Sequence, residues 1–301
     1  MTRSEFGFLL LCCDAGDGCK PLSLYQLELL RRRMTAQDAA VLPDADITPE
    51  LLKKLGYSEA SAMQLSQLLS REDALQAYLA LGKEQDCLPL TCVSPEFPQT
   101  LRPRLGRRCP AVLFYRGNLS LLKNRCISLA GARQLKEPGH RFAQQVGELA
   151  AAEGFTLVSG NAKGADKAAQ DACLACGGSV IAVLSEPLNC HCPENDRILY
   201  LAESGWHQEF SAARALSRNR LIYALGEKCF IAQCAVGSGT WQGAEDALKH
   251  GTTVVCVNND GSDGCLGLLD LGAFPVNCGE LTTLTVDYVL QASIFDSTFQ
   301  K

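Results

Sequence analysis

The chain has 301 residues, 47% of them apolar and 20% charged, and carries a formal net charge of −5. That length holds one large core and a smaller companion, so two domains are expected, and the acidic balance excludes a protein coated in positive charge. No apolar run is long enough to cross a bilayer, and most of the sixteen cysteines sit in apolar segments as small hydrophobes, which suits a reducing, cytoplasmic setting.

The elements read as follows in chain order. FGFLLLCC, Phe6 to Cys13, has Glu5 beside it and no small-residue cleavage site after it, so it is expected as a buried first helix. SLYQLELLRRRM, TPELLKKLGY, SEASAMQLSQLLS and REDALQAYLALG then repeat apolar residues at helical spacing, with Ser58 and Ser70 placed as N-caps. Residues 1–86 are thus expected as a small helical domain. Residues 87–125 are rich in proline and arginine and are expected as a basic connector leading into the start of the next domain.

From 126 to 301 the pattern changes to α/β. CISLA, FTLVS, SVIAVL, KCFIAQ and TTVVCV are short continuous apolar runs, as parallel strands covered on both faces require. Helical stretches such as GHRFAQQVGELAAAEG and GTWQGAEDALKHG separate them, which predicts a doubly wound, mostly parallel sheet.

Charge is unevenly spread along this order. Residues 102 to 141 hold ten Lys or Arg against the single acid Glu137, whereas from 226 onward three Lys face nine acids. A local anion-binding face would produce such asymmetry, and so would a solvated basic linker.

The stretch VSGNAKGAD runs from a strand through a small-residue loop into a helix. Ligands of doubly wound sheets bind beyond the carboxyl ends of the strands, where Gly160 and Gly164 let the backbone approach, the helix N-terminus offers N–H groups, and Lys163 adds a charge. A phosphate suits that loop. It lacks both the dinucleotide G-x-G-x-x-G spacing and the GK[ST] of a P-loop, and close helix–sheet packing alone would also favour its small residues. AGAR brings Arg133 to the same rim, SRNRLIYALG adds Arg218, Asn219 and Arg220, and VGSGT supplies a further turn at Gly237, Ser238 and Gly239. Guanidinium and glycine groups on several loops favour a phosphate polymer over one nucleotide. Cys173, Cys176, Cys190 and Cys192 have a spacing readable as zinc ligands, but the first pair alternates with alanines on a helix where Cys simply replaces Ala. No metal, cofactor or catalytic set is expected.

Taken in order, SPEFPQTL, PAVLFYRGN, ISLAGAR, LVSGNAKGADKAAQ, the CPEN of Cys192 to Asn195, SRNRLIYALG and SGTWQGAEDALKHG make the chain resemble the DNA-processing protein DprA/Smf family from about Ser94 to Pro275. The resemblance implies an extended Rossmann-like fold preceded by a helical part of SAM or helix-hairpin-helix kind. It also implies single-stranded DNA as ligand, a homodimer, and transfer of the protected strand to the RecA recombinase during DNA uptake and natural transformation. By matching position, the family's DNA-contacting arginine falls on Arg133. Its S-G-x-A-[RK]-G motif falls on Ser159, Gly160, Lys163 and Gly164, with Asp166 just beyond, and its R-N-R motif on Arg218 to Arg220. Three positions depart from the pattern: Gln170 replaces a His, Gln233 an acid and Gly243 a Thr.

The competing reading is an enzyme acting on nucleoside monophosphates, as in related Rossmann-like proteins. Glu245 or Asp246, after the VGSGT turn, would then supply the carboxylate. His140, His191, His207 and His250 are scattered and expected at the surface.

Overall fold

The computed structural model describes residues 1–36, 48–189, 192–193, 195–258 and 261–286. They divide into two compact units, Met1–Arg116 with Glu186–Pro193 and Leu201–Glu209, and the remainder from Gly117 onward. Among the described residues, no helix is long and apolar enough to cross a membrane.

In the first unit, α1 (Arg3–Cys12) opens on a reciprocal cap. The Glu5 N–H donates to Thr2 Oγ1 at 3.2 Å and the Thr2 N–H to Glu5 Oε2 at 2.7 Å. Its last carbonyls are gathered by buried Arg71, which donates to Leu10 O and Cys13 O at 2.8 and 2.7 Å and pairs with Asp17 at 3.2 Å. A cation at a helix C-terminus also complements the macrodipole. α2 (Leu24–Ala36), α3 (Pro49–Lys54), α4 (Glu59–Leu69) and α5 (Glu72–Glu84) occupy the four expected helical stretches. Ser58 caps α4, accepting from the Ser61 N–H at 3.3 Å. Ser70 does not cap α5. Its N–H still donates to Ser66 O and its Oγ to Gln67 O, so it closes α4, and Arg71 takes the N-cap position without a side-chain bond. His207 is also not a surface residue: half-buried, it sets Nδ1 3.0 Å from the Tyr78 hydroxyl, with the two rings edge to face.

The stretch expected as a connector carries regular structure: β1 (Leu88–Thr91), α6 (Leu101–Leu105) and β2 (Val112–Gly117), with β1 and β2 antiparallel. The boundary between the compact units falls at Gly117, inside that stretch.

The second unit alternates as expected. β3 (Cys126–Ala130), α7 (Glu137–Ala152), β4 (Thr156–Ser159), α8 (Ala165–Ala175) and β5 (Ser179–Leu184) are followed by β6 (Ile198–Ala202), α9 (Ala212–Leu225), β7 (Lys228–Ile231), α10 (Gly239–Lys249), β8 (Thr253–Val257), α11 (Asp263–Asp270) and β9 (Phe274–Val276). In the second unit the sheet order is β5-β4-β3-β7-β8-β9. β3 pairs in parallel with β4 on one side and β7 on the other, and β5, β8 and β9 continue the parallel ladder outward. From β5 to β9 the order is that of a dinucleotide-type doubly wound sheet, and the direction in which successive strands are added reverses between β3 and β7.

Burial explains why β3 sits centrally, because all five of its residues are buried, as a strand covered on both faces must be. Phe142 of α7 and Phe230 of β7 are fully buried with ring centroids 6.4 Å apart. α8 presents Ala165, Ala169 and Cys173 to the interior at four-residue intervals, and Gly147 of α7 lets the two backbones close together where a methyl group would overlap Ala169 O. Cys173 is therefore a packing residue. Burial pushes its thiol up to about 11. The described cysteines are unbridged thiols, and no metal-ligand cluster occurs among the described residues, whereas Cys190 and His191 lie outside them.

Candidate functional site

A cavity of about 540 Å³ opens in the second unit at the switch point of the strand order, between the carboxyl ends of β3 and β7. Its floor is stitched from three directions. Thr240 Oγ1 donates to Gly131 O at 3.2 Å, the Ala132 N–H to Gln233 O at 2.7 Å, and the Ala165 N–H to Ala132 O at 3.1 Å. Gly131 is required there, since a Cβ would lie 2.5 Å from the Ala165 methyl. The first turn of α10 opens onto the cavity with Ser238 as its N-cap, accepting from the Trp241 N–H at 3.2 Å. The N–H groups of such a turn have no acceptor within the helix and favour an anion.

The glycine loop after β4 is held by its own residues. Asn161 and Gly164 take left-handed φ values of 56° and 87°, which Asn tolerates and Gly accepts freely. Asp166 Oδ2 accepts from the Ala162 N–H at 3.3 Å and ties the turn to the start of α8. Asp166 is buried, which pushes its carboxyl up to about 6 despite the opposing pull of Arg218. Lys163 stays exposed on the outside of this loop, and Arg133 is exposed where β3 ends.

The structure separates the expected residues by role. Arg133, Asp166, Arg218, Asn219, Ser238 and Gly239 line the cavity. Ser159, Gly160, Lys163, Gly164, Arg220 and Gly237 do not line it. Ser159 is fully buried, its Oγ accepting from Gln170 Nε2 at 2.6 Å, so the glutamine at this departure from the family pattern has a packing role. Arg218 buries its guanidinium and donates Nη1 to Gly160 O and to Val183 O, the latter at 3.1 Å. It locks the glycine loop to β5. Asn219 Nδ2 donates to Gly239 O at 3.1 Å and locks α9 to the start of α10.

Among the lining residues that sequence reasoning missed are two large apolar ones, Phe210 and Leu216, which remain 50% and 41% exposed. Their signal was a pair of large apolar residues within the polar stretch HQEFSAARALSRN. The acids of the enzyme reading lie elsewhere. Glu245 takes the Lys249 ammonium at 2.8 Å, Asp246 faces His250 at 3.7 Å, and neither lines the cavity.

A doubly wound sheet with a largely apolar cavity at its switch point, rimmed by an open helix start and an exposed arginine, defines a Rossmann-type protein suited to anionic ligands. Residues 89–285 match the family model of DNA recombination-mediator protein A, and the chain belongs to that family. It is 34% identical over 184 residues to the DNA processing protein DprA of Streptococcus pneumoniae, an alignment covering 57% of this chain and 65% of that relative. The match thus spans just under two thirds of the relative's length. In fold the chain is similar to the crystal structure of DprA from Streptococcus pneumoniae, with a TM-score of 0.71 at 24% identity over 93% of this chain and 96% of that one. It is also similar to DNA processing protein A from Helicobacter pylori, a structure concerned with that protein's single-stranded DNA binding mode. The TM-score there is 0.54 at 23% identity, over 70% of this chain and 95% of that one.

Proposed function

We infer that the protein binds single-stranded DNA through the switch-point cavity and its rim, as a recombination mediator. The observation that carries this reading is the convergence of exposed Arg133, the open first turn of α10 and two exposed apolar side chains on one cavity. Arg133 and the helix start take backbone phosphates. Lys163 adds a charge from the neighbouring loop, and Phe210 and Leu216 give unpaired bases an apolar face that a duplex cannot present its own bases to. The ligand is held without turnover, since binding needs no placed base or nucleophile. Family membership supports proposing two finer steps as well: two copies associate, and the coated strand passes to the RecA recombinase during DNA uptake.

The test is a salt titration of oligo-dT binding by fluorescence anisotropy. Arg133→Ala and Lys163→Ala should each weaken binding alike for all base sequences and flatten the log–log salt slope by about 0.7, one phosphate's contribution for a single strand. Folded variants that bind as the parent does at every salt concentration overturn the assignment. Release of base from a nucleoside monophosphate, lost on changing Glu245 or Asp246 to Ala, would overturn the non-enzymatic part.

A further inference from the structure

Arg133 stands on a short loop, residues 131–136, between the end of β3 and the start of α7, and one residue just beyond β7 holds that loop at both ends. Gln233 O accepts from the Ala132 N–H at 2.7 Å, and Gln233 Oε1 accepts from the Lys136 N–H at 2.9 Å. Lys136 is the N-cap residue of α7, and its side chain makes no capping bond. In a capping box the acceptor for the N-cap N–H is a Glu or Gln three residues later in the same helix. That position is Gly139 here, and a Cβ on it would lie 2.9 Å from Gln233 Oε1 and 3.2 Å from Gln233 Cβ. The missing side chain of Gly139 is thus the room into which the amide of Gln233 fits. Lys136 Nζ also donates to Gly261 O at 3.2 Å, but through a flexible aliphatic stem that leaves the backbone unfixed.

The other side of the loop is closed as well. The Ala165 N–H donates to Ala132 O at 3.1 Å, and Gly164 comes so near that a Cβ on it would overlap the carbonyl oxygens of Ala132 and Arg133. The backbone beneath Arg133 is therefore ordered from two directions, while its side chain stays exposed. A loop that must be ordered during binding subtracts that entropy from the affinity, and one ordered beforehand does not. We propose that Gln233 is a positioning residue for Arg133: by tying Ala132 and Lys136 to the end of β7, it sets the arginine to meet a backbone phosphate before the strand arrives. This role rests on the reading of Arg133 as a phosphate contact given above.

Three variants of the full chain test it. Gln233→Leu removes the side-chain acceptor and leaves the carbonyl bond to Ala132 in place. Gln233→Glu keeps an acceptor, at a helix start that favours negative charge. Gly139→Ala displaces the same amide with Gln233 intact. Circular dichroism melts establish folding first, and where Gln233→Leu does not fold, Gly139→Ala takes its place throughout. Backbone amide exchange over residues 132–136, read by mass spectrometry, should quicken in Gln233→Leu and Gly139→Ala and stay as in the parent in Gln233→Glu. In oligo-dT anisotropy titrations, Gln233→Leu and Gly139→Ala should bind roughly three- to fivefold more weakly at every salt concentration with the log–log slope unchanged, because the phosphate contact itself survives. Gln233→Glu should bind more weakly at low salt and match the parent at high salt, where its added charge is screened. In an Arg133→Ala background Gln233→Leu should cause no further loss, a coupling that a purely structural cap would not show. A loss that persists undiminished without Arg133, or parent-like binding by Gln233→Leu where Arg133→Ala binds weakly, overturns the role of Gln233 and leaves the DNA reading standing. Parent-like binding by Arg133→Ala sinks the DNA reading and the positioning role with it, even where exchange over 132–136 quickens.

Discussion

Replacing Gly160 by alanine tests whether Arg218 is a lock inside the protein. A Cβ at Gly160 would overlap Arg218 Nη1 and stand 2.6 Å from Asp166 Oδ2. The guanidinium cannot yield easily, because Nη1 donates to Gly160 O and to Val183 O while buried. Moving it breaks two charge-assisted bonds, each contributing about 1.5–3 kcal/mol, and draws the cation away from buried Asp166. The expected loss is about 3–6 kcal/mol, or on the order of 10 °C in melting temperature for a domain of this size. Urea denaturation followed by circular dichroism reads it directly. Gly267→Ala is the matched control, since its Cβ meets Trp241 Nε1 at an ordinary 3.5 Å within α11, and it should be neutral or stabilising by up to about 1 kcal/mol. Equal unfolding midpoints for the two alanine variants would refute the lock.

The raised carboxyl of Asp166 makes stability depend on pH. Its contribution is fully present below pH 3.8 and is lost as pH rises through about 6, so a parent-minus-Asp166→Asn comparison of urea midpoints should fall by about 3 kcal/mol across that window. Protonating the same group removes a negative charge from the cavity, so oligo-dT affinity should rise as pH falls through 6, and Asp166→Asn should flatten that trend in anisotropy titrations. Arg71→Ala strands Asp17 and the α1 carbonyls and should cost about 3–5 kcal/mol. Arg125→Ala, which removes the ion pair with Glu227 between two well-exposed side chains, should cost no more than about 1 kcal/mol in the same melts.

Strands buried on both faces announce themselves, and β3, β4, β5, β7 and β8 were legible as continuous apolar runs for that reason. β2 was hidden because Arg116 interrupts its pattern. That side chain is buried, with Nη1 3.1 Å from exposed Asp86, and a buried arginine that reaches a partner at the surface looks in sequence like a solvated charge. β9 is only three residues long, with a proline in the middle, too short and too irregular for a period to show. In the site, strand-end position located Arg133 and the α10 turn, because ligand groups gather where strands end. It could not distinguish an arginine facing outward from Arg218 folded inward. Arg133 follows a strand and Arg218 lies within α9, and only the partner carbonyls of Arg218, on Gly160 and Val183, decide between the two roles.

Gly243 of α10 packs directly against Tyr223 of α9. A Cβ on Gly243 would overlap Tyr223 Cε2 and lie 3.1 Å from Cζ, while the Tyr223 hydroxyl donates to Thr240 O at 2.9 Å. The tyrosine fills the volume a threonine at 243 would claim, so the two positions cannot be exchanged independently. Introducing threonine alone would push the phenol off the first turn of α10; shrinking the tyrosine first would leave a void that the threonine could then enter. The interchange is passable in one order and blocked in the other. This form of epistasis means that a larger residue at 243 must travel with a smaller one at 223.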